Sequence, residues 1–203
     1  MSESSDLLHI KHAEFLFGAP TLSAIRRQTA PEVAIIGRSN VGKSTFVNRL
    51  CGRRVARVSG RPGCTQELNF YHVDGVVEGT EFDLNVVDMP GFGFARLSKE
   101  EREEISRLTV DYLRNRKQLR AVILLNDCRR RPEIDEVAIQ KICIEAGAHC
   151  LIVATKLDKE KRSQHERLLK DVAKGFGLER GDILGTGESM SPAAIWSRVV
   201  SLI

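Results

Sequence analysis

The chain has 203 residues, of which 42% are hydrophobic, and its 31 lysines and arginines against 27 aspartates and glutamates give a formal net charge of +4. A chain of this length can bury a core without disulfide or metal support, and so mild a charge does not by itself require a nucleic-acid partner. It contains no run of about 18 apolar residues that could span a membrane. Residues 1–30 carry no apolar segment of signal-peptide type. We therefore expect a cytoplasmic protein with no membrane partner.

The N-terminal segment gives weak structural signals. Residues 1–12 are polar and aperiodic and predict a flexible tail, whereas residues 13–203 are expected to form one domain. Ala13–Leu16 is predicted to be a short strand or a helical turn, and Leu22–Gln28 a weak helix.

Buried strands and amphipathic helices alternate along the rest of the chain. Apolar runs and alternating patterns predict strands over Glu32–Gly37, Leu68–Val73, Phe82–Val87, Ala121–Leu125, Leu151–Ala154 and Ile183–Leu184. Helical spacing and capping residues predict helices over Gly42–Leu50, from Ser98 to about Arg116, over Pro132–Ala146 and Lys159–Lys174, and from Ser191 onward. The helix after Pro132 is expected to bury Ile134, Val137, Ala138 and Ile142. This order predicts an α/β domain with a mostly parallel sheet and helices on both faces.

A phosphate-binding pattern, G-x-x-x-x-G-K-[ST], lies between the predicted strand Glu32–Gly37 and the helix that follows it. It comprises Gly37, Arg38, Ser39, Asn40, Val41, Gly42, Lys43 and Ser44, with Thr45 next in the chain. Such a loop lets backbone N–H groups converge on phosphate oxygens, while the lysine reaches the outer phosphates and the hydroxyl ligates Mg²⁺. A glycine-rich turn is the alternative, but the strand and helix on either side favour nucleotide binding.

A metal-binding motif follows the next buried strand. Asp88-Met89-Pro90-Gly91 ends Phe82–Val87, where Asp88 can hold Mg²⁺ through water and the Gly91 N–H can contact a terminal phosphate. Thr65, in the long loop before Leu68, can complete the Mg²⁺ shell and sense the γ-phosphate. Each of these, taken alone, could be an ordinary turn or loop residue.

A base-recognition motif, Thr155-Lys156-Leu157-Asp158, follows the strand Leu151–Ala154. The Asp158 carboxylate can accept hydrogen bonds from N1–H and the 2-amino group of guanine. Adenine lacks that amino group and has an acceptor at N1, so the carboxylate would be left unpaired. The stem of Lys156 is expected to pack on the base. A solvated charge cluster is the alternative for this motif, and a P-loop kinase or ATPase is the alternative for the set, but the order of the motifs favours GTP.

The phosphate loop, together with Pro62-Gly63-Cys64-Thr65-Gln66 and the segment Asp88-Met89-Pro90-Gly91-Phe92-Gly93-Phe94-Ala95, resembles the EngB (YihA) family of ribosome-assembly GTPases. The likeness covers about residues 13–200. It implies a three-layer P-loop GTPase fold and GTP hydrolysis as a switch in assembly of the large ribosomal subunit, needed for normal cell division. It also implies GTP or GDP as ligand, Mg²⁺ as cofactor, and the pre-ribosomal large subunit and its rRNA as partners of a monomer.

The same resemblance carries site residues over to this chain. Ser44, Thr65 and Asp88 become metal ligands. The nucleotide contacts become residues 37–45, Gly63, Cys64, Thr65, Gln66, Glu67, Asp88, Met89, Pro90, Gly91, Thr155, Lys156, Leu157 and Asp158. A late hydroxyl-bearing pair that touches guanine in the family falls at Gly185-Thr186. Gly185 replaces its first hydroxyl residue, although a backbone N–H could still serve.

The expected turnover mechanism does not use a glutamine after Gly91, because Phe92, Gly93 and Phe94 cannot orient water. Related GTPases with an apolar residue there use a phosphate-loop asparagine to hold K⁺, and Asn40 stands at that position. We therefore expect Lys43, Asn40 and Thr65 to carry catalysis, which stays slow until a ribosomal partner orders the Thr65 loop. The alternative for Asn40 is a loop residue that bonds its own backbone.

Two arginine clusters suggest a surface for RNA. Five arginines lie in residues 49–61 without an acidic residue among them (Arg49, Arg53, Arg54, Arg57 and Arg61), and a second run is Arg129, Arg130 and Arg131. Such clusters can neutralise RNA phosphates, or they can simply be a solvated basic surface. The alternative function is a GTP-dependent RNA- or protein-binding module whose hydrolysis is incidental.

Overall fold

A computed structural model describes residues 7–56, 67–93, 98–187 and 191–203. Within these residues the strands are β1 (Leu8–Ala19), β2 (Glu32–Gly37), β3 (Leu68–Val77), β4 (Thr80–Asp88), β5 (Leu119–Asp127), β6 (His149–Thr155) and β7 (Leu184–Gly185). The helices are α1 (Lys43–Leu50), α2 (Lys99–Asn115), α3 (Ile134–Glu145), α4 (Arg162–Gly175) and α5 (Pro192–Val200). The predicted alternation of strands and helices is therefore confirmed.

The strands form one sheet in the order β1-β3-β4-β2-β5-β6-β7. β2 pairs in parallel with β4 and with β5, β5 with β6, and β6 with β7, whereas β3 is antiparallel to both β1 and β4. The sheet is thus mostly parallel, as predicted, and an antiparallel extension completes one edge.

Helices cover both faces of the sheet because the central strand β2 is apolar on both sides. Ala34 and Ile36 belong to a core beneath α2, α3 and α4, and Val33 and Ile35 belong to a second core beneath α1 and α5. Successive strand residues point to opposite faces, so one apolar run supplies both cores. In the second core, Trp196 of α5 donates an indole hydrogen bond of 3.0 Å to the Leu50 carbonyl at the end of α1.

The N-terminal prediction is wrong for residues 8–12, which belong to β1 rather than to a flexible tail. β1 pairs along its length with β3 and buries Ala13, Phe17 and Ala19. Register shifts interrupt this pairing between Ile10 and His12 and between Phe15 and Phe17, and they break the two-residue alternation that would have revealed the strand. Residues 1–6 lie outside the described part of the chain.

Two helix predictions also need correction. Leu22–Gln28 contains a single 3₁₀ turn over Leu22–Ala24. In α3 the buried residues are Glu136, Ile139, Gln140 and Cys143, whereas Ile134 is 86% exposed. The buried face of α3 therefore differs from the predicted one. It includes the charged residue Glu136, whose carboxylate accepts a hydrogen bond from Arg38 of the phosphate loop. Val137 and Ile142 are only partly buried.

Helix boundaries follow local capping where the sequence marks it. At the start of α2 the Ser98 Oγ accepts a hydrogen bond from the Glu101 N–H at 3.1 Å, and the Glu101 carboxylate accepts one from the Ser98 N–H at 2.7 Å. This reciprocal capping box was predicted from the sequence. Among the described residues, no helix is long and apolar enough to cross a lipid bilayer.

A buried ion pair lies at the N-terminal end of β2. Glu32 is fully buried and accepts hydrogen bonds from Arg116 at 2.5 and 2.8 Å and from the Tyr112 hydroxyl at 2.7 Å. Tyr112 of α2 and Arg116, just after its end, thereby anchor this helix to the central strand β2.

Candidate nucleotide-binding site

The sequence motifs meet at one edge of the sheet, where the parallel strands end. The phosphate loop begins at the last residue of β2, Asp88 ends β4, residues 155–158 begin at the last residue of β6, and Thr186 follows β7, which ends at Gly185. The carboxyl ends of parallel strands form the crevice in which α/β proteins bind ligands. Parallel pairing therefore brings together motifs that are far apart in the chain.

The phosphate loop leads directly into α1. Gly42 caps this helix with a φ of 104°, and Asn40 also has a positive φ, of 62°. The Lys43 ammonium donates a hydrogen bond of 3.3 Å to the Gly37 carbonyl, so the side chain folds back across its own loop. The N–H groups at the start of α1 and its dipole make this end of the helix suitable for an anion.

Asp88 is a buried carboxylate at the end of β4. It is 2% exposed, and its Oδ1 atom has no hydrogen-bond partner among the described residues. Burial raises the pKa of Asp88 to about 6, and the nearby Lys43 only partly opposes this. Burial also lowers the pKa of Lys43, against the attraction of Asp88. A buried oxygen with no partner in the described part of the chain, close enough to Lys43 at the start of α1 to interact with its charge, fits a role in holding a hydrated divalent cation.

A cavity of about 420 Å³ lies beside the phosphate loop. Its lining combines the start of α1 with the loops after β6 and β7: Val41, Gly42, Thr45, Phe46, Arg49, Thr155, Lys156, Asp158, Lys159, Thr186 and Gly187. The structure thus brings Asp158 and Lys156 to the same cavity as the late-loop residue Thr186. A planar base with polar edges would meet carboxylate, ammonium and backbone groups here.

The walls of this cavity are held by hydrogen bonds between loops. The Thr155 hydroxyl donates to the Val41 carbonyl at 3.0 Å, the Thr186 N–H donates to the Ala154 carbonyl at 2.7 Å, and the Leu157 N–H donates to the Thr186 carbonyl at 3.1 Å. The Arg49 guanidinium also donates to the Gly187 carbonyl.

The glycine at position 185 has a packing reason. A Cβ atom there would lie 2.5 Å from Leu157 Cδ1 and 3.0 Å from Leu169 Cδ2. Leu157 and Leu169 both belong to the core beneath α4, so β7 approaches them too closely for a side chain at this position. The missing hydroxyl residue is therefore explained by local packing.

Asp127 is a residue of this site that sequence reasoning missed. It ends β5, and its Oδ2 atom lies 3.1 Å from the Lys156 ammonium. Arg129 donates to both of its carboxylate oxygens, at 2.8 and 2.7 Å. Burial favours the neutral acid, but the hydrogen bonds from Arg129 and Lys156 outweigh it and hold the pKa of Asp127 well below its usual range. The sequence did offer a signal for this residue, because Asp127 follows an apolar strand pattern and stands two residues before an arginine.

Several predicted contacts fall outside the described residues, namely Gly63, Cys64, Thr65 and Gln66, together with Arg57 and Arg61 of the first arginine cluster. Glu67 is described and lies against Gly18 of β1. β3 starts one residue later, and its Asn69 pairs with Asp88, so the chain returns to the same edge of the sheet at this point.

Comparisons with known proteins find similar GTP-binding proteins. A family model described as a 50S ribosome-binding GTPase matches residues 32–156. A probable GTP-binding protein EngB of Clostridium kluyveri is 37% identical over 185 residues, which cover 91% of this chain and 90% of that protein. A probable GTP-binding protein EngB of Streptococcus pneumoniae is 41% identical over 189 residues, 93% of each chain.

Solved structures show the same architecture. The crystal structure of a probable GTP-binding protein engB superposes with a TM-score of 0.62 at 26% identity and covers 84% of this chain and 97% of that chain. A crystal structure of an Aquifex aeolicus Era variant bound to GDP·AlF₄⁻ gives a TM-score of 0.66 at 18% identity, covering 87% of this chain and 57% of that chain, and it is similar in fold alone. The predicted three-layer P-loop GTPase fold is confirmed.

Proposed function

We propose, because this chain belongs to the EngB family of GTP-binding proteins, that it hydrolyses GTP to GDP and phosphate as a switch in assembly of the large ribosomal subunit. In this proposal it acts in the cytoplasm as a monomer and is needed for normal cell division. The observation that supports it best is the cavity in which Val41 and Gly42 of the phosphate loop meet Lys156, Asp158 and Thr186.

The nucleotide proposed for this cavity is a guanine nucleotide. The Asp158 carboxylate would accept hydrogen bonds from guanine N1–H and the 2-amino group, and the stem of Lys156 would cover the ring. Asp158→Asn should weaken GTP binding by about tenfold or more and strengthen binding of xanthosine triphosphate. Glu160→Gln, two residues away, is the control and should leave both affinities unchanged. An Asp158→Asn variant that keeps its preference for GTP over xanthosine triphosphate would contradict this assignment.

Magnesium is proposed as the cofactor. Ser44 would ligate the ion directly, Asp88 would hold it through water, and Thr65 would complete the shell when GTP is bound. The ion, when bound, neutralises charge on the phosphate oxygens. The buried Oδ1 of Asp88, which has no hydrogen-bond partner within the residues that the structure describes, supports this role.

Turnover is proposed to depend on Asn40 and a potassium ion. The Lys156 ammonium donates a hydrogen bond of 2.7 Å to the Asn40 carbonyl, and this contact restrains the backbone that carries the proposed K⁺ ligand. Lys43 would neutralise the outer phosphates. GTP hydrolysis should be faster in K⁺ than in Na⁺, and Asn40→Ala should remove this difference. Equal rates in the two salts for the unmodified protein would exclude the role of K⁺.

The ribosomal partner is proposed to be contacted through arginines. Arg53 and Arg54 are exposed after the end of α1, and Arg130 and Arg131 are exposed beside the phosphate-loop residues Arg38 to Val41. These arginines could bind rRNA phosphates. Binding to large-subunit precursor particles should weaken steeply with salt. A GTP-dependent binding module with incidental hydrolysis is the alternative. Multiple-turnover phosphate release on adding these particles supports the switch, and its absence supports the module.

A further inference from the structure

The Arg38 side chain, in the second position of the phosphate loop, reaches across to the start of α3. Its two terminal nitrogens donate to the two carboxylate oxygens of Glu133 at 2.9 and 2.8 Å, and its Nε donates to Glu136 at 3.0 Å. Asp135 lies 3.9 Å away. The Arg38 side chain is 22% exposed and that of Glu136 only 5%. A planar guanidinium that binds two carboxylates in this way is held in one orientation.

The same residue also touches the backbone that follows Gly91. Arg38 forms a parallel β-bridge with Phe92, and the Ser39 N–H donates to the Phe92 carbonyl at 2.9 Å. Gly93 has a φ of 72°, and a Cβ atom there would lie 3.1 Å from Arg38 Cγ. Phe92 itself packs against the core beneath α2 and α3. Residues 92 and 93 are therefore held between the phosphate loop, the Arg38 stem and the core.

We propose that Arg38 is a positioning residue that lets the protein distinguish GTP from GDP. This inference rests on the proposed function and on the contact, expected from the sequence, between the Gly91 N–H and the terminal phosphate of GTP. The phosphate loop surrounds phosphates that GTP and GDP share, whereas only GTP carries a phosphate that reaches Gly91. A side chain that fixes residues 92 and 93 therefore acts on the GTP complex and much less on the GDP complex.

The carboxylates of Glu133 and Glu136, at the start of α3, contribute to this role because they fix the orientation of the Arg38 guanidinium. Glu133 and Glu136 also form the capping box of α3, so a purely structural role for Arg38 has to be separated from the positioning role. A structural role would lower the melting temperature and weaken both nucleotides equally. The positioning role instead changes the ratio of the two affinities.

The test measures dissociation constants for GDP and for a non-hydrolysable GTP analogue, with Mg²⁺, on the full chain. The variants are Arg38→Lys, which keeps the charge but loses the forked geometry, Glu133→Gln, and the double variant. Arg180→Lys is the matched control, because Arg180 contacts Glu166 at 3.1 Å outside the site. We expect Arg38→Lys to weaken the GTP analogue by about three- to twentyfold and GDP by less than about twofold. Because Glu133 is expected to change the ratio of the two affinities only through Arg38, the double variant should change this ratio no more than the stronger single variant does.

The inference would be overturned if both single variants left the ratio of the GTP-analogue and GDP affinities unchanged, whether or not both nucleotides bind more weakly. Glu133→Gln keeps the test decisive if Arg38→Lys does not fold, because the Glu133 side chain is 58% exposed. The unmodified protein, titrated with ATP in the same experiment, reports on the proposed function separately. If it binds ATP as tightly as GTP, the proposed function fails, whereas a normal guanine preference with an unchanged ratio in the variants removes only the role of Arg38.

Discussion

The Lys156 ammonium donates a hydrogen bond of 2.7 Å to the carbonyl of Asn40, a residue 116 positions earlier in the chain. Both residues have left-handed backbone, with φ of 64° and 62°. Asp127, 3.1 Å from the same ammonium, restrains it further. The loop proposed to hold the base is thus joined directly to the loop proposed to hold the phosphates.

Replacing Lys156 should therefore loosen both parts of the site. We expect Lys156→Met to weaken GDP and GTP alike by about ten- to a hundredfold, since charged hydrogen bonds contribute roughly 1.5–3 kcal/mol. Fluorescence titration of both nucleotides measures this. Lys161→Met, at an exposed position before α4, is the control. An unchanged GDP affinity in Lys156→Met would show that the contact with Asn40 has no part in binding.

Asp127 should make the stability of the protein sensitive to acid. Its pKa is lowered in the folded protein, so its stabilising contribution is present above the ordinary carboxyl pKa of about 4 and is lost as the pH falls through the lowered value. Asp127→Asn should therefore reduce the free energy of unfolding at neutral pH and flatten its decline below about pH 4. Denaturant unfolding at several pH values checks this. Asp171 pairs with Arg167 on the surface of α4, so Asp171→Asn should alter the pH dependence of the unfolding free energy much less.

Asp88 should govern the magnesium dependence of GTP binding. A neutral amide holds a hydrated cation less strongly than a carboxylate, and loss of such an outer ligand typically costs about 10–100-fold in metal affinity. In Asp88→Asn the Mg²⁺ concentration needed for full GTP affinity should rise by that factor. Titration of Mg²⁺ at fixed GTP measures it. Asp83→Asn, on the exposed side of the same strand, should behave as the unmodified protein. The same Mg²⁺ midpoint in Asp88→Asn would contradict the assignment.

Gly185→Ser should destabilise the fold and not simply restore a missing hydroxyl. The new side chain would collide with Leu157 and Leu169, and such overpacking costs about 1–3 kcal/mol. For a chain of this size, each kcal/mol corresponds to roughly 2–4 °C in melting temperature. Gly181→Ser, where a Cβ meets nothing within 4 Å, is the matched control for thermal unfolding. A melting temperature equal to that of the control would refute the packing explanation.

Arg116→Met should destabilise the fold far more than loss of an exposed arginine does. It would leave the buried Glu32 carboxylate with only the Tyr112 hydroxyl as a side-chain partner among the described residues. Breaking such a buried pair costs about 3–5 kcal/mol. Arg114→Met, which removes an exposed pair with Glu145 at 3.8 Å, should cost less than about 1 kcal/mol. Chemical denaturation of the two variants compares them, and similar losses would argue against the buried pair as an anchor.

The strands and helices that carry the candidate site were predictable because their signals are local. The apolar run of β2, the glycines and Lys43 of the phosphate loop, and the Ser98–Glu101 capping box each specify their structure through neighbours in the chain. Only Ala13–Leu16 of β1 was predicted as a possible strand, and the rest of β1 was missed because two register shifts interrupt its alternation. The buried face of α3 was misjudged because Glu136 is satisfied by a residue 98 positions away.

By itself the sequence determined the α/β class, the phosphate loop, the acidic end of β4 and the carboxylate motif that follows β6, since each depends on residue type and short spacing. Only the tertiary structure decided that Asp127 restrains Lys156, that Arg38 spans from the phosphate loop to α3 and residue 93, and that position 185 has no room for a side chain. These relationships join separate strands and helices. They depend on which strands pair in parallel and on how closely the loops and helices pack together, and neither is encoded by a local sequence pattern.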